Sequence, residues 1–415
     1  MRALSFIKNK ILIPYRNSFH GLSKEVWWLA LITLINRAGT MVIPFLSLYL
    51  INSLEFSVEN VAWIMSAFGF GSVVGSWLGG KLTDLVGYYR VMFISLLLTG
   101  VLFVLLRYLT GLFQFCLGIF VVMVVADTFR PAMFVALGAC SKPENKTRSL
   151  TLIRLAINLG FSAGPAIGGL IITKLGYSGL FWVDGITCFL ASLLLLYALN
   201  PKKAKVLDVI KNENPSSAYS NNRFLVFLVA MMIFGLVFLQ YFSTVPVFYE
   251  KQLGYSEFKI GMLLAMNGFL IFLLEMPLIK WLEQTKYTKV NLMLAGTLMV
   301  TASLLILNLS DWFGVIIIGM LLMTVGEMVF FPFSNSFALD CAKHGNQGEY
   351  MGLYTIAFSL SHVFGHNLGF QIIDNHGFYN TWYVMTLLGA FCVILLLLLK
   401  RKTNQNTLSL NEGNK

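Results

Sequence analysis

Four ionisable residues stand out inside long apolar runs of this 415-residue chain, where a charge is costly and therefore chemically informative. Asp127 and Arg130 lie three residues apart in one run and share a helix face. Such a pair neutralises itself while the carboxylate is ionised and frees the guanidinium when a proton arrives; a permanent structural bridge is the alternative. Glu327 follows Asp127 by 200 residues, at a similar depth in its own run. A carboxyl in so dry a setting can take up a proton or hold a cationic ligand. Arg37, preceded by Asn36, has no acid close in sequence and is expected to reach across to Asp127 or another polar group. These four are the proton-coupling candidates.

A second tier is less specific. Glu275, two residues before Pro277, suits a gate contact, an interfacial carboxylate or a coupling role. Arg154 and Asn158, four apart, form a polar patch that supports the Asp127 and Arg130 pair or touches substrate. His362 and His366 share a face at the same spacing, but no third ligand is near and H-E-x-x-H is absent, so packing or a proton relay is expected and a metal site is not. The five cysteines are dispersed without a C-x-x-C pair and are expected to be free thiols.

The elements that carry these residues follow from composition. The chain is 57% hydrophobic and only 12% charged, about half the charge of a soluble domain. Apolar runs of helical length recur near 26–50, 60–80, 91–108, 112–139, 149–173, 178–198, 224–249, 258–279, 290–309, 312–339, 350–372 and 379–399. Twelve helices of about 20 residues each would cross a bilayer. With the N-terminus inside, the cytoplasmic segments hold 23 Lys and Arg residues and the outer loops hold Arg107, Lys174, Lys251 and Lys259. Cations of short loops stay inside, so both termini are expected in the cytoplasm. The net charge of +11 is thereby explained without nucleic acid.

A polar stretch at 200–223 separates two six-helix halves, 25–199 and 224–399, flanked by a basic N-terminal arm at 1–24 and a tail at 400–415. The halves repeat. Ser57 and Ser256 are 199 residues apart, Pro44 and Pro246 are 202 apart, and Gly164 and Gly168 recur as Gly365 and Gly369 at an offset of 201. Both copies start on the same side of the membrane, which makes the repeat parallel.

Two motifs sharpen this picture. Between the second and third runs, Gly80, Leu82, Asp84, Gly87 and Arg90 fill every named position of G-x-L-x-D-x-x-G-x-x-R, which resembles the signature turn of the major facilitator superfamily. The resemblance implies a conformational latch; the second-half counterpart, Glu283 to Lys289, keeps only the acidic and basic ends. In the fifth run, Gly160, Gly164, Pro165, Gly168 and Gly169 fill G-x-x-x-G-P-x-x-G-G, which resembles the helix-packing motif of the drug:proton antiporter branch. Glycines at i, i+4 and i+8 let a neighbouring helix approach closely, and Pro165 favours a bend. Arg130 also resembles the functional arginine of the family's fourth span, although Met133 and Phe134 replace the Gln and Gly of R-x-x-Q-G.

No phosphate-binding loop is present, so a gradient must supply the energy. The resemblance implies an all-α membrane protein of twelve transmembrane helices, a secondary transporter and not an enzyme, working by alternating access. Proton-coupled multidrug efflux of amphipathic small molecules is the leading expectation. Proton-coupled uptake of peptides or other metabolites is the alternative, and a polytopic membrane enzyme a weaker one. The expected partners are a small-molecule substrate, protons and membrane lipids, with no cofactor and no nucleic acid. The expected setting is a monomer in the cell (plasma or inner) membrane.

Overall fold

The structure, a computed structural model, describes residues 17–199 and 215–412. Most of the basic arm and of the linker, and the last three residues of the tail, lie outside the described residues. The expected twelve runs all appear as helix. Span one is broken into α1 (Lys24–Ala38) and α2 (Val42–Asn52), followed by α3 (Val58–Val86) and α4 (Tyr88–Leu106). Span four is α5 (Leu112–Asp127) and α6 (Phe129–Cys140), then come α7 (Lys146–Leu175) and α8 (Tyr177–Ala198). The second half runs α9 (Asn222–Leu239), a 3-10 turn at Gln240–Phe242, α10 (Thr244–Lys251), α11 (Glu257–Glu283), α12 (Lys289–Ile306), α13 (Phe313–Cys341) and α14 (Gln347–Glu412).

Among the described residues, eight helices are individually long and apolar enough to cross a membrane. The broken first span falls short because its pieces are 15 and 11 residues long. The spans over α3 and α7 are continuous helices of 29 and 30 residues. The last two spans are joined within α14, where Gly377 breaks the helix at φ 78° and ψ 173°.

By its contacts the chain forms two compact units. The first holds Gly21–Ser216 and Ala342–Ile356; the second holds Met1–His20, Ser217–Cys341 and Ala357–Lys415. The repeat extends to the turns of each unit. Ser57 Oγ accepts the Asn60 N–H to start α3, and Ser256 Oγ accepts the Lys259 N–H to start α11. Just before them stand Glu55 at φ 55° and Gly254 at φ 63°, again 199 apart. The chain bends alike at both, with Phe56 N–H donating to Leu50 C=O and Tyr255 N–H to Tyr249 C=O. Left-handed backbone is costly for a residue with a Cβ, so Glu55 is held there by the geometry that glycine supplies freely in the second copy.

Lipid offers no hydrophobic drive between helices, so small residues and close packing hold them together. In the first unit the stripe on α7 does this against the broken helix. A Cβ on Gly160 would lie 2.6 Å from the Arg37 Cβ, and one on Gly168 would lie 2.8 Å from the Phe45 ring. Gly164 is looser, facing the carbonyls of Ala38, Arg37 and Thr40 from 3.4 Å outward. Gly169 does not belong to the packed face: nothing lies within 4 Å of its would-be Cβ, because it is one residue off the i, i+4 stripe. In the second unit Gly365 faces Leu236 of α9, and Gly369 meets Gln240 and Thr244 at the break of span seven.

The two ends of the motif thus predict opposite outcomes. Gly160→Leu should destabilise the purified protein by about 1–3 kcal/mol through overpacking, read as a lowered thermal midpoint. Gly169→Leu should stay within about 0.5 kcal/mol of the parent; equal losses would contradict the stripe.

Candidate functional site

In the first unit Arg37 and Asp127 line one small cavity of about 40 Å³, together with Asn36, Thr40, Thr99 and Cys188. Two neighbouring elements aim these groups. Arg37 sits in the last turn of α1, where Gly39 N–H donates to Ile35 C=O and Thr40 N–H to Arg37 C=O. Asp127 ends α5, and the helix tightens there by one i to i−3 turn, Thr128 N–H donating to Val125 C=O. Asp127 is buried, with 5% of its surface exposed. The guanidinium of Arg37 feels both the Asp127 carboxylate and the Arg130 guanidinium. Arg37 and Asp127, expected from sequence to meet, thus line the same cavity. The Asn36 amide donates to Cys188 Sγ at 3.6 Å, and the buried Thr99 hydroxyl has no protein partner. A polar space of this size fits about one water molecule.

The second unit holds the other deep carboxylate. Glu327 on α13 is buried, and its Oε1 accepts from Asn267 Nδ2 of α11 at 2.9 Å. The same amide donates to Thr324 Oγ1 at 3.0 Å. Asn267 was not among the expected site residues, although it stands in the repeated Asn267-Gly268-Phe269 segment. One turn beyond Glu327, Phe330 stacks on Phe234 of α9 and Phe331 packs edge-on against Phe234, Phe238 and Phe358. Glu275 is fully buried on α11.

The breaks in spans one and seven carry a site that spacing did not indicate. Asp184 on α8 has no exposed surface, and its carboxylate accepts the Met41 N–H at 2.9 and 3.1 Å and the Val42 N–H at 2.9 Å. These are donors at the start of α2: Met41 N–H also reaches the Gly39 carbonyl at 2.9 Å, whereas Val42 N–H has the carboxylate as its acceptor. The break in span seven is closed without charge. Gln240 Nε2 donates to Leu236 and Gly365 carbonyls at 3.0 and 2.9 Å, and its Oε1 accepts from Thr244 Oγ1 at 2.8 Å. A lone acid in an apolar run was the signal for Asp184.

The signature turn is built around Asp84. Its two carboxylate oxygens accept the Gly348 N–H at 2.7 Å and the Glu349 N–H at 2.8 Å, within the first turn of α14. Both donors belong to the same unit as Asp84. The contact needs glycines: a Cβ on Gly80 would sit 2.5 Å from the Gly348 carbonyl oxygen. Gly87, at φ 87°, is the single residue that turns α3 into α4, while Leu82 and Arg90 are exposed. In the counterpart, Lys289 donates to Ser336 Oγ at 2.6 Å and pairs with Asp340.

The remaining candidates are dispersed. Arg154 and Asn158 are half-buried on α7. His362 packs edge-on to Phe358 at 4.9 Å, while the side chains of His366 and Pro165 lie outside the described residues.

Relatives bear on what these groups serve. The chain is 23% identical over 379 residues to the MFS-type transporter YqjV of Bacillus subtilis (strain 168), covering 89% of this chain and 91% of that protein. It is 21% identical over 393 residues to a Na(+), Li(+), K(+)/H(+) antiporter of Planococcus maritimus, covering 87% and 91%. Its fold is similar to that of the human organic anion transporter MFSD10 (TETRAN), with a TM-score of 0.70 at 16% identity over 90% of this chain and 99% of that one. The sequence model of the Major Facilitator Superfamily matches residues 29–366 and 292–414, and the chain accordingly belongs to that superfamily as a multi-pass membrane transporter.

Proposed function

We propose that this transporter exports amphipathic small molecules in exchange for protons, by alternating access, as a monomer with both termini in the cytoplasm of a cell (plasma or inner) membrane. The observation that carries this is the pair of buried carboxyls at equivalent places of the repeat. Asp127 stands beside Arg37 in one unit and Glu327 beside Asn267 in the other. Each can exist charged or neutral, and each state asks something different of its partner. Glu327, next to the phenylalanine cluster, is the group for a proton or the cationic end of a ligand. Arg37 and Arg130 balance Asp127, so that a proton arriving there leaves two uncompensated cations.

Export is supported by the glycine motif of α7, and proton exchange by a relative named as a cation/proton antiporter. Asp84 serves as a latch by holding the first turn of α14 through two backbone donors. No cofactor enters this scheme; the proton gradient is the energy source, with lipid as the solvent.

Sealed vesicles decide the direction. Substrate accumulation in inverted vesicles under an inward-acid gradient supports export, whereas accumulation in right-side-out vesicles under an outside-acid gradient would establish uptake instead.

Two substitutions test the machinery. Glu327→Gln and Asp127→Asn should each lower gradient-driven accumulation by at least about tenfold, equivalent to ~1.4 kcal/mol, while energy-independent exchange of substrate persists. Accumulation that keeps its parental pH dependence would remove that carboxyl from coupling. For the latch, Asp84→Ala should cost about 0.5–2 kcal/mol, the usual loss of a helix cap. That loss appears as a lower thermal midpoint and slower turnover, and parental values in both would contradict the role.

A further inference from the structure

We propose that Asp184 is a further proton-binding group of this transporter, one that clamps the outer piece of the broken first helix when ionised and frees it when protonated. The geometry is specific. Both carboxylate oxygens are engaged by the Met41 and Val42 N–H groups, and the side chain has no exposure. Its partners are backbone donors that cannot reverse polarity. A proton on Oδ2 turns the acceptor of the Val42 N–H into an O–H and leaves that donor without its partner, while the Met41 N–H keeps Oδ1 and the Gly39 carbonyl. An unsatisfied buried donor costs about 1–3 kcal/mol, enough to shift a hinge between two arrangements.

The repeat shows that the architecture does not require an acid there. The break in span seven is closed by the neutral Gln240, and the position 201 residues after Asp184 is the fully buried Met385. A carboxylate held ionised in an apolar interior is costly, and the second copy does without one, its break tied by an amide that donates to carbonyls. What it adds is sensitivity to protons.

The surroundings leave Asp184 to its backbone donors. The helices packed on α8 are α4, α1, α7 and α2. From α1 comes Arg37, whose guanidinium feels the charges of Asp127 and Arg130. From α2 comes Tyr49, with its ring 5.0 Å from that of Phe181. α4 carries no titratable residue between Arg90 and Arg107, and α7 none between Arg154 and Lys174. On α8 itself Cys188 lies one turn on and receives the Asn36 amide. Because Arg37 precedes the break by two residues, freeing α2 loosens the turn that aims its guanidinium at Asp127. Asp184 is therefore a positioning residue for the Asp127 site, and to that extent its function rests on the proton-coupled reading above.

The test is hydrogen exchange at the amides of residues 41–50 in the full-length protein in nanodiscs, followed from about pH 5 to about pH 9 and corrected for intrinsic exchange. Protection should be high at alkaline pH and fall at least about tenfold on acidification, as expected of a cap that needs the ionised form. Asp184→Asn should show the low-protection value at every pH. Parental protection that does not change with pH overturns the proposal, and this reading needs no variant to fold. Parental-like titration in a folded Asp184→Asn protein overturns it as well. Glu327→Gln separates the two readings: the clamp should still titrate there even when gradient-driven transport is lost. A clamp that titrates in a protein whose transport ignores the proton gradient would leave Asp184 in place and remove the coupling.

Discussion

Two backbone N–H groups, those of Met41 and Val42, set much of the design of the first unit. A helix that crosses lipid can be interrupted only if every donor and acceptor freed by the break finds a partner inside the protein. Asp184 supplies both acceptors from α8, and α7 closes in from another side with Gly160 against Arg37 and Gly168 against Phe45. On the same side as Asp184, a Cβ on Gly39 would overlap the Thr187 hydroxyl at 1.8 Å. The broken helix is thus held between a glycine stripe and a carboxylate. Arg37 owes its aim to that enclosure, since it occupies the last helical turn before the gap.

The second unit reaches a related arrangement with other chemistry. Gly365 and Gly369 are again the surface against the interrupted helix, but Gln240 ties the gap through its own amide to Gly365 C=O. The shared element is backbone proximity, which glycine permits and which no larger residue can imitate. The differing element is the polar group: the Asp184 carboxylate accepts from backbone N–H groups, whereas the Gln240 amide donates to backbone carbonyls. The signature turn obeys the same rule, its cap of Gly348 and Glu349 by Asp84 requiring Gly80 to let the two segments meet.

Much of this was legible in the residues. The twelve spans follow from the bilayer's demand for apolar length, and the parallel halves from glycine and serine offsets near 200. Those same serines cap α3 and α11. Arg37 was expected to reach Asp127 or another polar group because an arginine at that depth is costly alone, and the two line one cavity. What was not legible depends on the third dimension. Nothing in sequence tells that Asn267 donates to Glu327 from 60 residues away, or that Gly169 is turned away from the stripe. The interruption of span one escaped notice because its residues, Gly39 to Met41, read as continuous with an apolar run. Asp184 was passed over for the complementary reason: its role exists only once that interruption does.

The buried carboxyls differ in what protonation does to their partners, and this separates their tasks. Glu327 faces an amide, a group with both donor and acceptor ends. If the Asn267 side chain turns, its oxygen accepts the new O–H, so Glu327 can change charge with little disturbance of α11 and α13. A proton there alters the field felt by a ligand near the phenylalanine cluster. Asp127 shares its cavity with Arg37, and a proton there changes the charge that the guanidinium feels. Asp184 and Asp84 face backbone N–H groups fixed in helical turns, where the cost of protonation falls on the helix itself. Charge at the first two sites is therefore suited to recognising and driving, while charge at the last two is suited to setting where helices begin.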